Sequence, residues 1–169
     1  QVRRIRPDLE AVLLRGNVAT RLAKLAAGAA DATLLAVAGL DRLGMHDIGA
    51  VQDPAVLLPA ASQGAIGIEC RADDDAVLAL LVTIDHPPTH RAVAAERAFL
   101  AALGGDCRSP VAAHAHWRSD GMLRLDAEIF SDDGADHAIG HALIDHDDAA
   151  AALARRLLDG APDTVRRLF

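Results

Sequence analysis

Aromatic side chains are almost absent. They make up 2% of the 169 residues: Trp117, Phe99, Phe130 and Phe169, with no Tyr. A core without them rests on Leu, Val, Ile and Ala, which bury less area per residue. Single-stranded nucleic acid is gripped by stacking bases on aromatic faces, and this chain lacks such platforms. The formal net charge of -7 excludes a general nucleic-acid binder as well. Long apolar runs are missing too. The longest, Ala32 to Leu40, has the length of a strand, far short of the roughly 20 residues that span a bilayer. No signal peptide is visible, and no initiator Met. The chain opens on Gln1-Val2-Arg3-Arg4-Ile5-Arg6-Pro7, which predicts a piece of a longer protein. Cysteine is scarce: Cys70 and Cys107, neither in a CxxC pair. A zinc site is not expected from them. A reduced, cytoplasmic pair is.

Lysine is the rarest basic residue. Of 17 Lys and Arg residues, Lys24 alone is lysine. A GC-rich genome explains that blandly. Carboxylate binding explains it chemically, because guanidinium matches carboxylate in a two-pronged fork. Composition does not separate these readings. What remains is ordinary: 51% hydrophobic and 24% charged residues describe a globular chain.

Periodicity orders the elements. Leu9–Leu14 reads as a short buried strand. Asn17 caps a helix over 18–27, and Gly28 stops it. Residues 32–38 read as a second buried strand. Strand, helix and strand within some thirty residues predict a βαβ unit with a parallel sheet. A short helix carrying Arg42 follows over 39–44. Residues 65–71 read as a further strand, and Asp73-Asp74-Asp75 opens a helix reaching Val82. His86-Pro87-Pro88-Thr89 is a sharp break. An amphipathic helix covers 90–103. From Val111 to Ile144 the chain alternates, with turns at Ser119-Asp120-Gly121 and Ser131-Asp132-Asp133-Gly134, which predicts three antiparallel strands. Helices over 147–159 and 163–169 close the chain.

Three groups of residues are candidates for chemistry. Arg15-Gly16-Asn17-Val18-Ala19-Thr20-Arg21 sets a guanidinium at a strand end, then glycine, then a helix start with free N–H groups. That suits a carboxylate or phosphate. It equally suits a helix cap flanked by two solvated arginines. Leu103-Gly104-Gly105-Asp106-Cys107-Arg108 exposes a thiol on a glycine-rich loop beside a cation. This fits a nucleophile or covalent attachment point, or a structural thiol in a turn. Cys70 lies in an apolar run and reads as structural. His114 and His116 share one strand face, and His137, His141 and His146 follow near a hairpin. No metal-ligand spacing links them, so surface histidines are expected and no metal. The aspartate clusters at 73–75 and 145–148 read as helix-opening charges.

Five segments stand in order: Arg15 to Arg21, Leu35 to Gly44, Gln63-Gly64-Ala65-Ile66-Gly67-Ile68-Glu69-Cys70-Arg71, Ala95-Glu96-Arg97, and Gly104-Gly105-Asp106-Cys107. Through them the chain closely resembles the porphobilinogen deaminase family, also called hydroxymethylbilane synthases. The likeness is specific up to about residue 110 and rests on pattern beyond it. It implies stepwise head-to-tail condensation of four porphobilinogen molecules with loss of ammonia, in tetrapyrrole (haem) biosynthesis. It implies a dipyrromethane cofactor bound covalently through a thioether to Cys107. It implies that Arg15, Arg21 and Arg42 bind the acetate and propionate groups of the pyrroles, with Gln63 near the cofactor. Each pyrrole carries two carboxylates, so such a site needs fixed cations, and the acidic net charge is no objection. The family's catalytic aspartate lies upstream of residue 1, so no catalytic residue is expected in this chain. Arg3-Arg4 looks like the family's arginine pair but falls after its place, and the role is not carried over.

The implied architecture is α/β plus α+β. Part of a periplasmic-binding-protein-like α/β domain is followed by a small C-terminal domain with a three-stranded antiparallel sheet covered by helices. Residues 1–60 are expected as the C-terminal part of the second α/β domain and 61–85 as the return segment of the first. Residues 86–169 are expected as the α+β domain carrying the cofactor cysteine. The full enzyme is expected to be a cytoplasmic monomer without nucleic-acid or membrane partners. The chain alone is expected to be inactive and to self-associate. A non-enzymatic carboxylate-binding module of the periplasmic type is the alternative. One departure stands out: the family has Gly before Gln-Gly, and this chain has Ser62. Serine replaces glycine freely only where φ is negative.

Overall fold

The computed structural model describes all 169 residues. They form two compact units, Gln1–Val56 and Leu57–Phe169. An α-helical N-terminal region precedes a three-stranded antiparallel sheet capped by helices, the order expected for the α/β plus α+β architecture.

The first unit holds α1 (Val2–Ile5), α2 (Val18–Ala26) and α3 (Val37–Arg42). Helix α2 forms as its sequence dictates. The Asn17 side chain accepts from the Thr20 N–H at 2.9 Å, satisfying one orphan donor of the first turn. At the other end the Ala29 N–H reaches the Lys24 carbonyl and the Gly28 N–H the Leu25 carbonyl, both at 3.0 Å. That pair of bonds closes the helix in a Schellman motif. Leu40 is the only hydrophobic side chain of this unit that is buried.

The expected strands at 9–14, 32–38 and 65–71 are not strands in the structure. No parallel pair exists; the only ladders are those of the antiparallel sheet. Residues 37 and 38 open α3 instead. Apolar β-formers mark a segment that suits a sheet, but a strand exists only with a neighbour to bond to. Here these segments meet none, and most of their side chains face outward. Leu13 is 78% exposed and Ile66 89%.

In the second unit, α4 (Asp75–Val82) is capped by Asp74, whose side chain accepts from the Val77 N–H at 3.0 Å. The break at 86–89 is the entry to α5 (Pro87–Ala102), with proline at its first positions, where a missing N–H costs nothing. Strands β1 (Val111–Trp117), β2 (Leu123–Phe130) and β3 (His137–Leu143) then pair in the order β1-β2-β3. Val111 faces Ile129 and Trp117 faces Leu123; Arg124 faces Leu143 and Phe130 faces His137. This register puts Ala113, Ala115, Leu125, Ala127 and Ile129 on one face. Helices α5 and α6 (Ala149–Gly160) cover it with Phe99, Leu103, Leu153 and Leu157. The alanines let helices approach closely, so a core with few aromatics still closes. A short α7 (Asp163–Arg166) adds Val165.

The free edge of β1 is covered as well. The Ala113 N–H donates to the Pro59 carbonyl at 2.9 Å. The next outward N–H, Ala115, donates to the Glu96 carboxylate at 2.8 Å. An open edge is a template for unwanted pairing, and here a side chain and a loop take its donors.

Candidate functional site: the glycine-rich loop and its supports

The loop after α5 is shaped by hydrogen bonds on both sides of Cys107. Helix α5 ends when Gly104 takes a positive φ of 72°. The Gly105 N–H then returns to the Leu100 carbonyl at 3.0 Å. A Cβ on Gly105 would stand 2.7 Å from Leu100 Cδ1 and 3.2 Å from Ser109 Oγ, so a larger residue there would push both side chains aside. The Ser109 N–H donates to the Asp106 carbonyl at 3.1 Å, and the Asp106 N–H donates to Ser109 Oγ at 2.9 Å. The Arg108 N–H donates to Asp106 Oδ1 at 2.7 Å. Cys107 therefore sits at the apex of an Asx-type turn, exposed and as a free thiol. The Arg108 guanidinium pairs with Asp106 Oδ2 at 3.3 Å.

The Asp106 carboxyl is held below its ordinary value of 3.8, first by the Arg108 backbone N–H and further by the Arg108 guanidinium. A depressed carboxylate pKa favours the folded turn above the ordinary value. That advantage fades as the pH falls through the lowered one. The turn is therefore intact at neutral pH and loosens below pH 3.8. Protection of the Arg108 amide, taken relative to its intrinsic exchange rate at each pH, should fall in that acid window, and Asp106→Asn should remove the pH dependence of the protection.

Gln63 is exposed, and the residue before it is unusual. Ser62 has φ 65°, the only positive value at a non-glycine position. The departure from glycine thus falls at a left-handed position, which costs a side chain about 1–2 kcal/mol. Two contacts hold it. The Ser62 N–H donates to Glu96 Oε2 at 2.6 Å, and Arg97 Nε donates to Ser62 Oγ at 3.2 Å. Through Glu96 the turn is also joined to the Ala115 N–H. Ser62→Gly should raise stability by about 0.5–1 kcal/mol, the relief of strain less the extra freedom of the unfolded glycine. Urea denaturation measures this, and a loss of stability would show that the Arg97 contact outweighs the strain.

In the first unit Arg15 is exposed and Arg21 half-buried. Arg21 Nε donates to the Gly16 carbonyl at 2.8 Å, and Lys24 Nζ donates to the Arg15 carbonyl at 2.9 Å. The loop is thus folded onto the first turns of α2. Gly16 has φ 129°, and a Cβ there would meet Thr20 at 2.7 Å. Arg42 is the last residue of α3, exposed. The structure brings Arg15 and Arg21 onto one loop–helix junction and sets Gln63 beside a turn bonded to α5. Cys70 is half-buried and free. The rings of His114 and His116 stack with centroids 5.4 Å apart, and His116 Nδ1 lies 3.6 Å from Asp126 Oδ2. No three His, Cys, Asp or Glu side chains stand close enough to hold a metal ion. No helix is long and apolar enough to cross a membrane.

Sequence reasoning missed the part played by Glu96. The signal was present: a carboxylate at the i−3 position from Phe99, within the apolar stripe of α5, needs buried partners.

Two family descriptions match the chain. "Porphobilinogen deaminase, dipyromethane cofactor binding domain" matches residues 1–79, and "Porphobilinogen deaminase, C-terminal domain" matches residues 90–159. Among curated proteins, a porphobilinogen deaminase of Sphingopyxis alaskensis is 75% identical over 169 residues, covering 100% of this chain and 54% of the relative. One of Syntrophobacter fumaroxidans is 50% identical over 135 residues, 79% of this chain and 43% of the relative. One of Roseiflexus sp. is 53% identical over 124 residues, 73% of this chain and 41% of the relative. The chain spans about half the length of the curated relatives it matches.

Proposed function

The chain belongs to the porphobilinogen deaminase family, and from that premise we propose that the full-length protein is a hydroxymethylbilane synthase whose dipyrromethane cofactor is bound as a thioether to Cys107. It joins four porphobilinogen molecules head to tail and releases ammonia at each step, in the cytoplasm. The observation that carries this reading is the Cys107 turn. Its thiol is free and exposed, at the apex of a loop that Gly105, Asp106 and Ser109 hold in one shape. A covalent anchor needs access for attachment and a fixed base afterwards, and this loop supplies both.

The residues present fit such a group. The cofactor, when bound, supplies the terminal pyrrole carbon to which each new ring is joined. This chain's own residues bind and orient. The exposed guanidiniums of Arg15 and Arg42, with Arg21, take the carboxylates of the pyrroles, for which a forked, permanently charged donor is suited. Gln63 offers an amide NH2 donor and a carbonyl acceptor to the same kind of group. The proton-handling aspartate is assigned to the part of the relatives' length that this chain does not span. Residues 1–60, 61–85 and 86–169 are assigned to the second domain, the first domain's return segment and the third domain.

Porphobilinogen consumption and ammonia release test this directly. The full-length protein should turn over substrate, and residues 1–169 alone should not. Turnover by the 169-residue chain would overturn the assignment of the aspartate. A full-length protein that binds a pyrrole carboxylate reversibly, without adduct or turnover, would favour the anion-binding module.

A further inference from the structure

Glu96 lies in the middle of α5 with 6% of its surface exposed. Its two oxygens are used by two backbone N–H groups from distant parts of the chain. Oε2 accepts from Ser62 at 2.6 Å, and Oε1 accepts from Ala115 at 2.8 Å. Beside this bridge, the Pro59 carbonyl accepts from the Ala113 N–H at 2.9 Å. The stretch from Pro59 to Ser62 is thereby laid along the edge of β1, and its far end is tied to α5. The same helix ends at Ala102, about 9 Å further along its axis at 1.5 Å per residue, where the Cys107 loop begins. Gln63 is the next residue after the tied N–H.

We propose that Glu96 is a positioning residue for the cofactor site. Its carboxylate sets the Gln63 turn on the same rigid body, α5 and β1, that carries the Cys107 loop. This rests on the reading of Cys107 and Gln63 given above. The physical case does not depend on that reading. A buried carboxylate is stable only when its oxygens are hydrogen-bonded. Two charge-assisted bonds of this length are strong and directional. Ser62 holds a left-handed backbone that a side chain does not choose alone, so something must hold the turn. Glu96 takes its N–H, and Arg97 takes its Oγ at 3.2 Å. A loop fixed only by its own residues would leave Gln63 free to shift relative to Cys107. The Glu96 bridge removes that freedom.

The test uses the full-length protein and Glu96→Gln, which keeps the size and one acceptor oxygen but turns an NH2 donor toward one of the two N–H groups. Amide exchange should accelerate at both Ser62 and Ala115 by at least about tenfold, the scale of one lost hydrogen bond to a charged group. Cys107 should still carry the adduct by intact mass. KM for porphobilinogen should rise several-fold more than kcat falls. A merely structural role would lower the melting temperature and leave the KM of the folded enzyme unchanged; that result, or unchanged exchange at Ser62, overturns the proposal. Should Glu96→Gln fail to fold, Glu96→Asp shortens the reach by one methylene and should give the same pattern in weaker form. An unmodified Cys107 and no turnover in the unsubstituted protein would instead refute the proposed function. The exchange measurement would still decide whether Glu96 holds the turn.

Discussion

Cys107→Ser in the full-length protein should abolish the covalent adduct and reduce turnover to the background rate. Serine has nearly the shape of cysteine, so the turn itself should survive. The Asp106 carboxylate still accepts from the residue 108 N–H, and Ser109 still closes the turn. The side chain is exposed, and substitutions at such places usually change stability by less than about 0.5 kcal/mol. The melting temperature should therefore stay where it is while the intact mass falls by one dipyrromethane unit. A hydroxyl does not replace the thiol, because the thiolate is the reactive form and a serine hydroxyl scarcely ionises. Intact-mass spectrometry, the Ehrlich colour reaction and porphobilinogen consumption together read the result. An adduct that persists in Cys107→Ser, on Cys70 or elsewhere, would sink the assignment.

The second large effect is on stability. Phe99→Ala should cost about 3–5 kcal/mol, the usual range for removing a buried aromatic ring. Phe99 is 0% exposed and belongs to the cluster with Leu103, Leu125, Ile129 and Leu153. The neighbours include many alanines, which have no rotamers with which to fill the gap. The cavity should therefore stay open and the loss fall at the upper end of that range. Domains of this kind are stable by about 5–15 kcal/mol, so the substitution should remove a third or more of it. The effect should extend to the Cys107 loop. Leu103, which ends α5, is 3% exposed in the same cluster and seats the start of the loop. Urea denaturation with a faster exchange of the Gly105 amide is the expected combination, because that N–H bonds back to Leu100 on α5. A loss below 1 kcal/mol would mean that the helix repacks.

Local chemistry was legible. Asn17 and Gly28 bound α2 because a cap and a left-handed stop act within a few residues. The three strands from Val111 to Leu143 were legible for the same reason: tight turns at 119–121 and 131–134 leave each strand next to its partner. The strands expected at 9–14, 32–38 and 65–71 were not decided by their own residues. Their apolar character was read correctly, but pairing depends on a strand beside them, and none pairs with them here. Ser62 shows the same limit. Its replacement of glycine was visible, and its φ of 65° was not.

The ordered motifs alone pointed to the family, and through that resemblance to Cys107 and the arginines as expected cofactor contacts, because motif order is carried by the chain itself. The tertiary structure decided how Cys107 is presented, that Ser62 is strained, and that Glu96 is shared between Ser62 and Ala115. Those two partners lie 34 and 19 residues away along the chain. A bond across such distances follows from how α5 packs on the sheet edge, and no window of sequence contains that geometry.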